Sequence, residues 1–511
     1  MDAATRPTSR PPRFGAALAA LLTVALVPAQ EAPPTQAPKC EAKAAKPREA
    51  RPKQAKPQPK QGPQRRKTRT FTAPDGSRFV LIQDYQQRQL HWALACWSDG
   101  RDDPPGFSGL TRAVLDVSLN GTWSTGSADA AAEKAALQAL DESWQLKMSD
   151  PTNAENNAAL LARDKAASDL GDLRTFRRVL AATPAHRPEI LDLDGVSVLV
   201  LTTVEPALAE VARLLVERRE QQALRGLARA WLPKVMARAQ QHALHPERRI
   251  QAELLALIMP LSPAIAQLEA PPMTAPKRSQ ALASWTASQH PSRTVHLLMG
   301  AFDLDRTESL LKTAFATTGL EPPTEQQQRP LRQLGARRQS IVPGMPTDSV
   351  SLAWVLPADA DPRTLEVATR WLADGDRARI RVNLRKKRPN VEVSIEAPWP
   401  LGARPALLRI DARDPGKLEG LAEDLIAACR QAATQKLTDG QYYAANMAVH
   451  RSWNDATANV RQLTVRLAQQ ALVWPTQTIA PQLPPIQKGD AIRKLLTATF
   501  ASQPAIVEGH R

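Results

Sequence analysis

Two kinds of hydrophobic spacing alternate along the 511-residue chain, and together they outline its elements. Residues 78–82 (RFVLI) follow a Pro74-Asp75-Gly76-Ser77 turn and read as a strand, and 90–97 (LHWALACW) read as a second. Beyond a loop over 100–109, apolar Leu110, Val114, Leu115 and Val117 fall roughly on one side of a helix predicted over 110–119. Residues 128–182 read as helical with a break at 149–151, and 206–243 as helical with one proline at 233. Buried strands are predicted at 196–201 (VSVLVL) and at 294–299 (TVHLLM), the latter closed by Gly300 and followed by a helix over 305–315. A polar, proline-containing connector over 321–346 precedes a second series: strand 349–356, helix 362–373, strands near 391–395 and 407–410, and helices at about 414–435, 438–452 and 456–472. The pattern predicts an α+β protein of two units, 70–320 and 347–490, joined by the connector and ending in a tail over 491–511.

The first 69 residues follow different rules. Arg6, Arg10 and Arg13 precede an apolar run over 14–26, and Val27-Pro28-Ala29 fits the small-residue rule for cleavage, so 1–29 reads as an export signal. The apolar run is shorter than the roughly 20 residues that a membrane-spanning helix requires. Residues 30–69 are rich in Pro, Lys, Ala and Gln, a composition that cannot bury a core and predicts an extended, solvated linker. The chain carries 67 Lys and Arg against 51 Asp and Glu, a formal charge of +16, but residues 1–70 hold the larger share of the excess. The folded part is therefore not expected to bind nucleic acid. The linker's charge suits either electrostatic contact with an acidic cell envelope or a soluble spacer. Cys40, Cys96 and Cys429 are too few and too scattered for a zinc ribbon or a disulfide framework.

Four local strings, in order, resemble the insulinase/pitrilysin/mitochondrial processing peptidase family, the inverted-zincin metallopeptidases. They are Phe71-Thr72-Ala73-Pro74-Asp75-Gly76-Ser77-Arg78-Phe79-Val80, the approach Gly100 to Leu110, Leu297-Leu298-Met299-Gly300-Ala301-Phe302-Asp303, and Arg379-Ile380-Arg381-Val382-Asn383-Leu384-Arg385-Lys386-Lys387. The resemblance implies two homologous α/β-sandwich-like domains arranged as half of a clamshell. It also implies a helix carrying H-x-x-E-H, whose histidines hold zinc and whose glutamate activates a water.

The segment that should carry that motif is pinned on both sides, by Gly109-Leu110 and by Asn120-Gly121-Thr122. In that register Arg112 takes the first histidine position, Leu115 the glutamate position and Asp116 the second histidine position. A guanidinium stays protonated and is no metal ligand, leucine exchanges no proton, and one aspartate is a single ligand where three are needed. The third ligand is expected near 234–239, where no carboxylate occurs. Arg112 and Asp116, spaced i and i+4, are expected to pair across one turn, a tie of about 0.3–0.5 kcal/mol if exposed. The resemblance further implies that Arg379 and Arg381 contact a peptide, with Arg381 standing where the family has a tyrosine.

Other constellations carry less. His242, His245 and Glu247 are close in sequence, but Pro246 interrupts the helix and no fourth ligand follows, so surface histidines are the expected reading. Asp102 and Asp103 are expected to cap the next element rather than to act as an acid/base pair. No G-x-S-x-G, phosphate-loop or dinucleotide motif occurs.

The sequence therefore predicts an exported, periplasmic, envelope-associated or extracellular, catalytically inactive insulinase-type homologue without zinc or another cofactor. Its expected role is that of a peptide-holding pseudopeptidase, partnered by a zinc-competent subunit or by a second copy. The alternatives are an envelope protein that uses the fold as a scaffold and, less favoured by the motif, an active zinc peptidase with its site elsewhere.

Overall fold

The computed structural model describes residues 66–510 apart from 99–102, 105–106, 108, 151, 182–187, 194, 232–246, 259–274, 317–337, 346, 358, 374–377, 400–406, 416–417, 476–478 and 480–485. The export signal, most of the linker, Cys40, Asp102, His242 and His245 lie outside the described residues, as does the window expected to hold a third ligand.

Folded structure begins inside the segment expected to be linker. Strand β1 (Lys67–Thr72) pairs antiparallel with β2 (Arg78–Gln83). The turn between them is held by Asp75, whose carboxylate accepts from the Ser77 N–H at 2.8 Å and from its hydroxyl at 2.9 Å. Gly76 stands there at φ 88°, a conformation that favours glycine. Next come β3 (Leu90–Trp97), α1 (Leu110–Val117), α2 (Ala130–Ser149), α3 (Ala154–Leu170), α4 (Thr175–Leu180), β4 (Glu189–Leu193) and β5 (Val196–Thr203). Helices α5 (Leu208–Glu220), α6 (Glu247–Ile258) and α7 (Arg278–Ser288) lead to β6 (Thr294–Gly300) and α8 (Leu304–Ala314). The second half opens with β7 (Arg338–Val342) and β8 (Ser349–Val355), followed by α9 (Pro362–Ala373) and α10 (Arg379–Leu384). It continues through β9 (Glu392–Trp399), β10 (Leu407–Arg413), α11 (Leu421–Thr434), α12 (Asp439–Ala458), α13 (Val460–Val473), α14 (Gly489–Phe500) and β11 (Ala505–Gly509).

The strands form two mixed sheets, ordered β1-β2-β6-β3-β5-β4 and β7-β11-β8-β10-β9. Apart from β1, the second order repeats the first strand for strand. In each sheet the strand that opens the half runs parallel to the strand that closes it, β2 with β6 and β7 with β11. The remaining neighbours are antiparallel. β3 and β5 are buried along their whole length because helices cover both faces, which explains their nearly continuous apolar sequences.

The covering layers cross between the halves. One face of the first sheet, with Phe79, Leu81, Trp92, Leu94 and Leu199, packs on α5 and α8. Its other face, with Ile82, Ala93, Ala95 and Val198, packs on Leu463, Leu467 and Ala471 of α13, a helix of the second half. In return, Ile250, Leu254 and Ile258 of α6, a helix of the first half, pack against Ala353, Leu407 and Val507 of the second sheet. Residues 63–511 accordingly form one unit, so the two units expected from sequence exchange a helix each.

Several elements lie where sequence predicted none. β7 falls inside the expected connector, and the expected tail contains α14 and β11, with β11 interior to the second sheet. β4 and α7 were also not predicted. β4 is a five-residue edge strand with little burial pattern to mark it. The helix expected over 206–243 breaks after Glu220, where Leu224 takes φ 50° and Gly226 φ 75°.

Candidate functional site

Helix α1 is the element on which the family's metal chemistry would rest. It starts at Gly109, which stands at φ 86°. The buried Asp103 carboxylate accepts from the Gly109 N–H and, at 2.6 Å, from the Thr111 N–H, two of the donors left open at a helix start. This is the capping role expected of the Asp102-Asp103 pair, carried by Asp103. Leu110, Ala113, Val114, Leu115 and Val117 face inward against Cys96, Trp144, Leu224, Trp231 and Trp285.

The three positions that should bear the chemistry differ in exposure, Arg112 being exposed, Leu115 buried and Asp116 half-buried. Leu115 is only 2% exposed and belongs to the apolar layer. Arg112 points outward and pairs with Asp192 of edge strand β4, a partner that sequence reasoning missed because β4 itself was not foreseen. Asp116 is half-buried, and the Arg177 guanidinium lies 3.5 Å from its carbonyl oxygen. The strand–helix link through Arg112 joins α1 to β4, and Arg461 of α13 pairs with Glu189 at the other end of the same strand. Among the described residues, no group of three or more His, Cys, Asp or Glu side chains is gathered as a metal ion would need.

Under α1 lies a second cluster that the sequence did not reveal. Arg218 of α5 is fully buried; its Nε and Nη2 donate to Ser118 Oγ at 3.2 and 2.6 Å, and its Nη1 donates to Gln289 Oε1 at 3.1 Å. Its guanidinium lies 4.6 Å from the centre of the Trp285 ring. The Ser118 hydroxyl donates onward to the Leu115 carbonyl at 2.6 Å. Desolvation pulls the Arg218 pKa down to about 10. Nothing in the string VERRE distinguishes Arg218 from its neighbours; only the fold turns it inward.

The predicted peptide-contacting residues lie on α10, which packs on α9, α11 and β9 of the second half, whereas α1 packs on α7 of the first. Arg379 is half-buried and donates from Nε to Gln435 Oε1, and Arg381 is exposed. The basic run beyond them is partly neutralised: Arg388 pairs with Asp414 and Asp424 at 3.1 Å, and Lys387 with Asp424 at 2.8 Å.

No protein-family model and no curated protein matches the sequence. Solved structures do match the fold. A protease from Helicobacter pylori superposes with a TM-score of 0.60 at 13% identity, covering 88% of this chain and 100% of that one. An inactive domain of peptidase M16 from Pseudomonas fluorescens gives 0.60 at 12% identity, covering 87% and 98%. A chain of complex III2 from Candida albicans gives 0.55 at 9% identity, covering 86% and 95%. The chain has the fold of the insulinase-type (M16) peptidases. That fold is shared by a protease, by an inactive peptidase domain and by a chain of complex III2, so the fold alone assigns no activity.

Proposed function

We propose that this chain is an exported, non-catalytic member of the insulinase-type peptidases, a pseudopeptidase that holds peptides or completes a chamber with a partner. The observation that carries the reading is α1 itself. In a gapless register it offers an ion-paired arginine, a buried leucine and one aspartate where the chemistry needs two imidazoles and a general base. The repeated strand order supports reading the two halves as homologous domains. Similarity to an inactive M16 domain supports the loss of activity. The partner in this reading is a zinc-competent relative with an intact H-x-x-E-H or a second copy, and Arg379 and Arg381 contact peptide carbonyls or carboxylates. The folded domains work in the periplasm or at the cell envelope.

The test is to purify the full chain from its own cells, measure zinc by mass spectrometry and assay peptide cleavage with and without a chelator. The expected result is substoichiometric zinc, no chelator-sensitive cleavage by the chain alone, and co-purification with a zinc-bearing relative or self-association. Stoichiometric tightly bound zinc with chelator-sensitive cleavage would overturn the reading.

A further inference from the structure

The basic run of α10 divides into a part engaged by the fold and a part that is not. From Ala378 to Asn390 the sequence has six Lys or Arg and no Asp or Glu. Lys387 and Arg388 turn back onto Asp424 and Asp414, at 2.8 and 3.1 Å. Ile380 and Leu384 anchor the helix in the second core, and the Asn383 amide donates to the Ala428 carbonyl of α11 at 3.1 Å, which fixes the buried side. At about 100° per residue the opposite side carries Val382 at its centre, with Arg381 and Arg385 on one flank and Lys386 and Arg379 on the other. The helical conformation runs on through Arg385, and Lys386 follows in the closing turn. Arg381, Val382, Arg385 and Lys386 are all exposed, Val382 at 40%. Among the described residues Arg385 and Lys386 enter no ion pair, and Arg379 donates to the uncharged amide of Gln435. The neighbouring strand does not neutralise the face either. Val393, Ile395 and Ala397 of β9 pack on the core that α10 covers, so Glu392 and Glu396 lie on the other side of the sheet.

The result is a group of cations set around one exposed apolar side chain on a convex helix face. A partner matches it when carboxylates repeat along it with apolar groups between them. A nucleic acid matches less well, because the segment 378–390 has no aromatic side chain on which a base could stack. We propose that this face of α10 binds acidic peptide segments. Val382 takes an apolar side chain of the peptide, and Arg381, Arg385 and Lys386 take the flanking carboxylates. The inference rests on the peptide-holding reading and deepens it: it names the class of peptide held and extends the contact to Val382, Arg385 and Lys386.

The experiment measures fluorescence anisotropy of three labelled peptides on the purified full chain. The peptides have equal length and equal leucine content and are otherwise rich in glutamate, in lysine or in serine. The glutamate-rich peptide should bind at least about tenfold more tightly than the serine-rich one, because an exposed ion pair contributes up to about fivefold in affinity and several act together. Arg385→Glu with Lys386→Glu should weaken it at least about tenfold, with a steep dependence on salt in the unaltered chain. Arg306→Glu with Lys165→Glu changes the net charge equally, at exposed positions on α8 and α3, and should leave binding unchanged. The basic segment before β1 is present in every variant, so a difference between the two double variants belongs to α10. Equal loss in both, or loss in neither, would overturn the proposal. Equal binding of all three peptides would overturn the acidic preference and leave the peptide-holding reading standing, whereas binding of none would overturn both. Vesicles of anionic phospholipid held through Arg385 and Lys386 as tightly as the peptide would overturn the choice of a peptide as occupant.

Discussion

Single residues in this protein act mostly by where their charge is buried. Glu133 of α2 and Arg225 form a pair at 2.5 and 2.8 Å that is almost wholly withdrawn from water. Arg225 also donates to the carbonyls of Thr122 and Thr125, at 2.8 and 3.1 Å. Removing one partner strands the other, so Glu133→Gln should cost about 3–5 kcal/mol, read from the denaturant midpoint, and Arg225→Met a similar amount. A second residue-scale effect belongs to His296, which is packed among Phe79, Trp92 and Phe315 and accepts from Trp92 Nε1 at 3.3 Å. Desolvation and then the nearby Arg219 and Arg218 pull its pKa down to about 3. An unfolded histidine titrates near 6.5, so the unfolded chain binds a proton first as pH falls. The stability that the neutral ring permits is intact above about pH 6.5 and is lost progressively toward pH 3. Between pH 7 and 5 the loss from this residue should be about 2 kcal/mol, and His296→Phe should remove that part of the slope in paired pH-dependent melts.

At the scale of elements, α1 is a short helix held by its surroundings. Its eight residues give it little intrinsic stability, so capping and packing hold it. Asp103→Ala removes the carboxylate that satisfies two N–H groups at its start and should cost about 1–2 kcal/mol, measured by thermal melting. That a helix begins at Leu110 was legible in sequence. Which partner Arg112 finds was not legible, because Asp192 belongs to an edge strand only five residues long. The α2–α3 hairpin stands between α1 and β4, whereas among the described residues the stretch between β8 and β9 holds α9 and α10. Two buried or half-buried arginines fasten it: Arg225 to Glu133, and Arg278 to Asp141 at 2.8 Å.

For the whole molecule, the exchange of α6 and α13 is the decisive feature. Each sheet borrows the cover of one face from the other half of the chain, so neither half can bury both faces of its sheet alone. Unfolding of residues 63–511 should therefore be a single cooperative transition rather than two. Leu463→Ala, on α13 in the second half, should destabilise the first sheet by about 2–5 kcal/mol. Leu254→Ala, on α6, should do the same for the second sheet. In hydrogen exchange each variant should weaken protection in both sheets, whereas loss confined to one sheet would show that the halves open independently.

Periodicity and local strings were enough to establish the α+β class, most of the buried strands and the position of α1, because these depend on residues close together in the chain. β3 and β5 announce themselves by unbroken apolar runs, and α1 by fixed points a few residues to either side. The chain's long-range arrangement was decided only by tertiary structure: β11 completing a sheet from within an apparent tail, helices exchanged between halves, and Arg218 turned inward beside Cys96. The physical reason is that a residue's burial and its charge partners depend on which distant elements pack over it, and no local pattern carries that information.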